Sequence, residues 1–173
     1  MQPEASYGRM DALTARPLAE LLTCPPDAGN LLTESAQSLN YEAGTVVFRQ
    51  SEACQGLYLV VSGQFLRRTE RMETRLSLGW ARPGDLVELA ATLGDGSHTY
   101  TMTAQTPGSV LLLPTYALNR AFQGYPPLRM KLLEELAREV SRAYYASRMN
   151  RVERTRRGGS AVELWEAAQK RHS

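Results

Sequence analysis

At 173 residues the chain is long enough for one domain with a real core and an appendage, and its 43% hydrophobic and 22% charged residues are those of a globular protein. No apolar run approaches the roughly 20 residues that span a bilayer, and a net charge of +2 is too small to name nucleic acid as the partner. Two cysteines outside any C-x-x-C spacing and two histidines, His98 and His172, argue against a disulfide framework, a metal site and most acid–base chemistry. Cys24 and Cys54 therefore read as buried or idle thiols. The first residues, Met1 to Tyr7, lack the basic and apolar regions of a secretory signal, and a cytoplasmic location is expected.

In chain order, Leu13, Leu18, Leu21 and Leu22 recur at near-helical spacing, and Pro25-Pro26 stop the run. Leu31, Leu32, Ala36 and Leu39 repeat the pattern, which predicts a second helix over 30–39. At Tyr41 the character changes. Glu42-Ala43-Gly44 is a turn, and Thr45 to Arg49, Leu57 to Val61, Gln64 to Arg68 and Thr74 to Trp80 are rich in β-branched and aromatic residues. A charged turn is expected over 69–73, and Ser109 to Leu113 closes the run. Strands at about ten-residue spacing with glycine turns indicate a sandwich or barrel, with Phe48, Tyr58, Phe65 and Trp80 in its core.

After Pro114 the helical period returns, with Thr115 as an expected N-cap, Gly124 as a stop and Pro126-Pro127 opening the next helix. In that helix Leu133, Leu136, Val140, Ala143 and Ser147 step by three and four, acids come early and arginines late. Helical from Pro127 to Arg157, it would extend about 45 Å at 1.5 Å per residue, too long for so small a domain to cover. The apolar stripe predicts a homodimer interface formed by those five residues. Gly158-Gly159 break the chain, and Ser160-Ala161-Val162-Glu163 has the spacing of a capping box before a final helix. The expected division is a helical segment 1–40, a core of strands 41–114, a short and a long helix over 115–157, and a glycine linker with terminal helix over 158–173.

The stretch from Pro83 to Ala104 carries the most chemistry. A Pro-Gly turn, a short segment with an acid at Glu88, the break Gly94-Asp95-Gly96-Ser97 and a Thr-rich strand make a cradle whose exposed amides favour an anion. Together with Glu42 to Phe48 and Gly56 to Gly63, this order of strands, glycines and helices resembles the cyclic nucleotide-binding domain, as found in the sensor half of catabolite-activator (Crp/Fnr) regulators. The resemblance covers roughly Met10 to Arg151. It implies an α+β fold: an antiparallel β-roll, a double-stranded β-helix or cupin-like jelly roll, with N-terminal helices and a long C-terminal dimerisation helix.

The resemblance also implies a ligand cassette at Val87, Glu88, Leu89, Ala90, His98, Thr99 and Tyr100. In the family a Gly-Glu-Leu-Ala run opens the cassette, its glutamate accepting the ribose 2′-OH. An arginine followed by Ser or Thr and Ala then pairs with the cyclic phosphate. Here Val87 stands for the glycine, His98 for the arginine and Tyr100 for the alanine, while Glu88 and Thr99 are kept. Imidazole lacks the planar, permanently charged fork of guanidinium, and losing such a contact costs about 1.5–3 kcal/mol. The expected function is a dimeric regulatory or sensor domain in signal transduction or transcription, with a degenerate cassette that takes cyclic AMP or cyclic GMP at low affinity, another small molecule, or nothing. The alternatives are a protein-interaction module with a vestigial pocket and a DNA-binding regulator using the Arg-rich tail. Enzymatic activity, a metal site, a membrane and DNA binding by the chain alone are not expected, because the cupin histidine pair is absent and too few residues follow Gly159 for a helix-turn-helix.

Overall fold

The computed structural model describes residues 15–71 and 74–145. Two helices, α1 (Ala15–Leu22) and α2 (Pro26–Ser35), precede eight strands: β1 (Gln37–Tyr41), β2 (Val46–Phe48), β3 (Gly56–Ser62), β4 (Phe65–Arg71), β5 (Thr74–Ala81), β6 (Leu86–Val87), β7 (Thr101–Ala104) and β8 (Gly108–Pro114). A short helix α3 (Leu89–Leu93) sits between β6 and β7, and α4 (Thr115–Gly124) follows β8. A last helix, α5, runs over 126–145. The expected terminal helix and the Arg-rich stretch lie outside the described residues.

The strands form two antiparallel sheets of four, ordered β1-β8-β3-β6 and β2-β7-β4-β5, in the α+β jelly roll that the sequence predicts. Period-2 alternation aims one face of each sheet at the other. Leu39, Tyr58, Val60, Val87, Val110 and Leu112 from the first sheet meet Phe48, Phe65, Ala81, Met102 and Ala104 from the second. The alternate residues Leu57, Leu111 and Leu113 are also buried, because α2 and α4 cover the outer face of the first sheet. Burial on both faces explains the unbroken apolar run of β8. Among the described residues no helix covers the second sheet at Leu78 and Trp80. Trp80 is 45% exposed, which corrects the expectation that it belongs to the core.

Three further expectations change. The helix expected over 30–39 ends at Ser35, and residues 37–41 pair with β8 instead, since Leu39 satisfies a strand's alternation as well as a helix's period. Strand β4 continues through Thr69, Glu70 and Arg71, paired with β5, where a turn was expected. Thr115 lies inside α4 and caps nothing; its hydroxyl and its amide both donate to the Gln55 carbonyl, at 3.0 Å each.

The chain divides into two units, Met1–Leu133, which holds both sheets, and Glu134–Ser173. In the second unit Val140, Tyr144 and Tyr145 are exposed, and Arg138 pairs with Glu134 and Glu135 at 3.7 and 3.0 Å.

The β3–β4 turn shows how tightly the roll is drawn. Gly63 has φ of +83°, and a Cβ placed there would lie 2.7 Å from the Gly108 Cα at the start of β8. Left-handed backbone costs a non-glycine residue about 1–2 kcal/mol, and forced overpacking about 1–3 kcal/mol. Gly63→Ala is expected to lower the unfolding free energy by about 2–4 kcal/mol in urea denaturation, whereas Gly44→Ala, with open space around it, should cost only the backbone part.

Candidate functional site

The cradle is pinned to the first sheet by its turn. Asp85 accepts the Arg82 amide at 2.9 Å through Oδ2, while Gly84 donates to the Val60 carbonyl and Val60 to that of Asp85. Strand β6 then pairs Val87 with Tyr58, which directs the Val87 side chain into the core, 1% exposed. Glu88 follows with φ of 72° and ψ of 32°, a left-handed conformation unusual for a residue other than glycine, asparagine or aspartate. That reversal turns its side chain inward, where it is 3% exposed, and starts α3 with Leu89 buried and Ala90 exposed.

A second pair of segments closes on the cradle. In the loop between β2 and β3, the Ser51 amide donates to the His98 carbonyl at 2.8 Å, the His98 amide to Glu52 at 2.9 Å and the Cys54 amide to Gly96 at 2.7 Å. These bonds set Cys54 beside His98, although the two are far apart in sequence. His98 is 4% exposed, and its ring stacks on Phe48 with centroids 3.9 Å apart and planes 4° from parallel.

The Glu88 carboxylate is held from inside the protein. Oε1 accepts the Thr99 hydroxyl at 3.2 Å, and Oε2 accepts the Thr99 amide at 3.3 Å and lies 3.3 Å from His98 Nδ1. The Glu88 amide donates to the Tyr100 hydroxyl at 3.3 Å, and the Tyr100 ring lies within the core with Arg67 5.7 Å from its centroid. Burial alone would drive the proton off His98. The facing Cys54 and Glu88 outweigh it and push the His98 pKa up to about 9. Burial also raises Tyr58, whose ring lies 5.9 Å from that of His98. His98 and Glu88 thus form a buried ion pair at neutral pH.

All seven residues expected in the cassette fall in this region, in different roles. Glu88, His98 and Thr99 meet one another, Val87 and Tyr100 enter the core, and Leu89 and Ala90 open α3. The sequence reading missed Cys54, whose nearest chemical neighbours in the fold carry no local spacing signal. The ligand atoms of Cys54, Glu88 and His98 lie within 4.8 Å of one another, a set of residue types able to hold a metal ion. A cavity of about 340 Å³ lies on the far side of α3, lined by Cys54, Thr92, Asp95, Asn119, Phe122 and Arg129 among others.

The profile of the cyclic nucleotide-binding domain matches residues 38–125, half of the chain. The chain belongs to the cyclic nucleotide-binding domain family. Similar solved structures agree. The sensor domain of the transcriptional regulator DNR from Pseudomonas aeruginosa superposes with a TM-score of 0.64 at 22% identity, over 75% of this chain and 92% of that one. The Thermus thermophilus catabolite activator protein gives 0.63 at 25% identity, over 72% of this chain and 59% of that one. The regulatory domain of Toxoplasma gondii PKA, crystallised with cAMP, gives 0.59 at 19% identity, over 65% and 46%. No curated protein matches the chain significantly. Among the described residues no helix is long and apolar enough to cross a membrane.

Removing one member of a buried ion pair leaves the other uncompensated, at a cost of about 3–5 kcal/mol. Glu88→Ala is expected to destabilise the protein by that amount in thermal or urea unfolding. In a double-mutant cycle with His98→Ala, the two losses should fall well short of adding.

Proposed function

We propose that the chain is a regulatory sensor domain whose phosphate cassette is degenerate and closed on itself. The observation that carries this reading is the fate of Glu88. The carboxylate that the family offers to a ribose hydroxyl is buried here and bonded to Thr99 and paired with His98. A nucleotide entering in the family's manner must break that pair and uncover Glu88, and it finds a buried imidazole in place of a guanidinium fork. Cyclic AMP and cyclic GMP are therefore weak ligands or none. The output is in signal transduction or transcription, in keeping with the regulators that share the fold.

The domain acts as a homodimer through α5. Leu133 and Leu136 are half-buried, Val140 and Ala143 are exposed, and Ser147 lies outside the described residues. A helix with Val140 60% exposed beside exposed Tyr144 and Tyr145 offers an apolar surface suited to a second copy.

Isothermal titration with cyclic AMP and with cyclic GMP tests the first part, with no heat of binding expected into the millimolar range. A dissociation constant in the micromolar range would refute the closed cassette. Sedimentation velocity tests the second: the wild-type chain should run as a dimer, and Leu136→Glu combined with Val140→Glu should run as a monomer with unchanged melting of the roll.

A further inference from the structure

We propose that Cys54, Glu88 and His98 form a binding site for a divalent transition metal of the zinc class, built from one thiolate, one carboxylate and one imidazole. This goes beyond the sensor reading and does not rest on it.

Geometry brings the site together. The three ligand atoms, from three different segments, lie within 4.8 Å of one another, and among the described residues this is the group of His, Cys, Asp and Glu side chains so gathered. Two of the three residues are almost wholly buried, at 3% for Glu88 and 4% for His98. Acidic groups gathered by chance lie in water, whereas burial of a carboxylate and an imidazole beside a thiol requires a cation or a full set of hydrogen bonds.

The hydrogen bonds are incomplete. His98 Nδ1 is shielded from solvent, and its 3.3 Å approach to Glu88 Oε2 is an ionic contact without a well-formed hydrogen bond. Buried polar atoms without a partner are exceptions that call for an explanation, and an absent ion is one of the few available. That nitrogen lies 3.3 Å from Glu88 Oε2, so an ion that displaced its proton would meet the carboxylate as well.

The surroundings are those of a metal site. Thr99 donates to both oxygens of Glu88, at 3.2 and 3.3 Å, and fixes the carboxylate. Phe48 stacks flat on the imidazole and fixes its plane. The backbone bonds of Ser51, Cys54 and His98 lock the two loops that carry the sulfur and the nitrogen. Cys54 is only partly buried and also lines the cavity beside α3, which gives an ion a path to its sulfur. Thiolate with imidazole selects zinc and its neighbours over magnesium and calcium, which take oxygen ligands. On binding, the Cys54 thiol and the His98 imidazolium each release a proton to solvent, and the sulfur and the nitrogen take the metal in place of those protons.

Cobalt(II) is the probe, since its thiolate complexes absorb. Reduced, chelator-stripped protein is titrated with cobalt(II) chloride. One equivalent should produce a thiolate-to-cobalt charge-transfer band and the d–d bands of a four-coordinate ion, both abolished by one equivalent of zinc. Cys24→Ser should leave the spectrum intact and Cys54→Ser should remove the charge-transfer band. Thr99→Val should keep the band and weaken binding about 10- to 100-fold. In the wild-type chain, zinc should slow alkylation of Cys54 by iodoacetamide and leave Cys24 unaffected, a readout that needs no variant to fold. The absence of a charge-transfer band, its loss in Cys24→Ser instead, or equal alkylation of Cys54 with and without zinc would overturn the site.

Discussion

Burial of the Glu88 carboxylate is the constraint to which this half of the roll is fitted. An isolated carboxylate taken out of water costs several kcal/mol, and no apolar contact nearby returns as much. The charge is compensated by the amide and hydroxyl of Thr99 and by His98, all supplied by the residues just before β7. Those residues are held in place by the loop between β2 and β3, whose Ser51 and Glu52 bracket His98 through the backbone. Glu88 in turn accepts a left-handed backbone costing about 1–2 kcal/mol, a conformation that persists only where its surroundings over-determine it.

The exchange of guanidinium for imidazole has a consequence beyond lost charge. A guanidinium stands at the end of a long, flexible stem and presents a planar fork to a phosphate. Imidazole is short and planar, and here it lies on Phe48, 3.9 Å away, with its edge toward Glu88. The residues at the acid and cation positions of the cassette therefore face each other. Tyr100 fits the same arrangement. Its ring is buried in the roll, and its hydroxyl accepts the Glu88 amide, so the bulk that stands where the family has a methyl group supports the carboxylate's backbone.

Much of the fold was legible because its signals are local. Glycine turns, β-branched runs and the apolar stripe of α5 each lie within a few residues, and the strands came out near their expected positions. The errors fall where two local rules agree on the wrong answer or where a neighbour decides. Leu39 fits a helix by period and a strand by alternation, and pairing with β8 chose the strand. Trp80 has the residue type of a core position, yet among the described residues its sheet face has none of the helical cover that buries Leu57 and Leu113. At the site, Glu88, His98 and Thr99 could be named from one contiguous stretch. Cys54 could not, because only three long-range backbone hydrogen bonds place it there.

Position also determines what the cluster can act upon. The Glu88 carbonyl accepts the Thr92 amide at 2.9 Å within α3, so a change in the backbone at Glu88 is felt first by that helix. Helix α3 forms one wall of the cavity whose other walls are Asn119 and Phe122 of α4 and Arg129 in the first turn of α5. Cys54 belongs to both places, facing Glu88 and His98 on one side and this cavity on the other. Only groups with two stable arrangements transmit an event at one site to another. A ligand that acts through this roll must therefore bind two arrangements of it with different affinity, and a cation held against the Glu88 carboxylate would favour the arrangement that keeps the carboxylate buried.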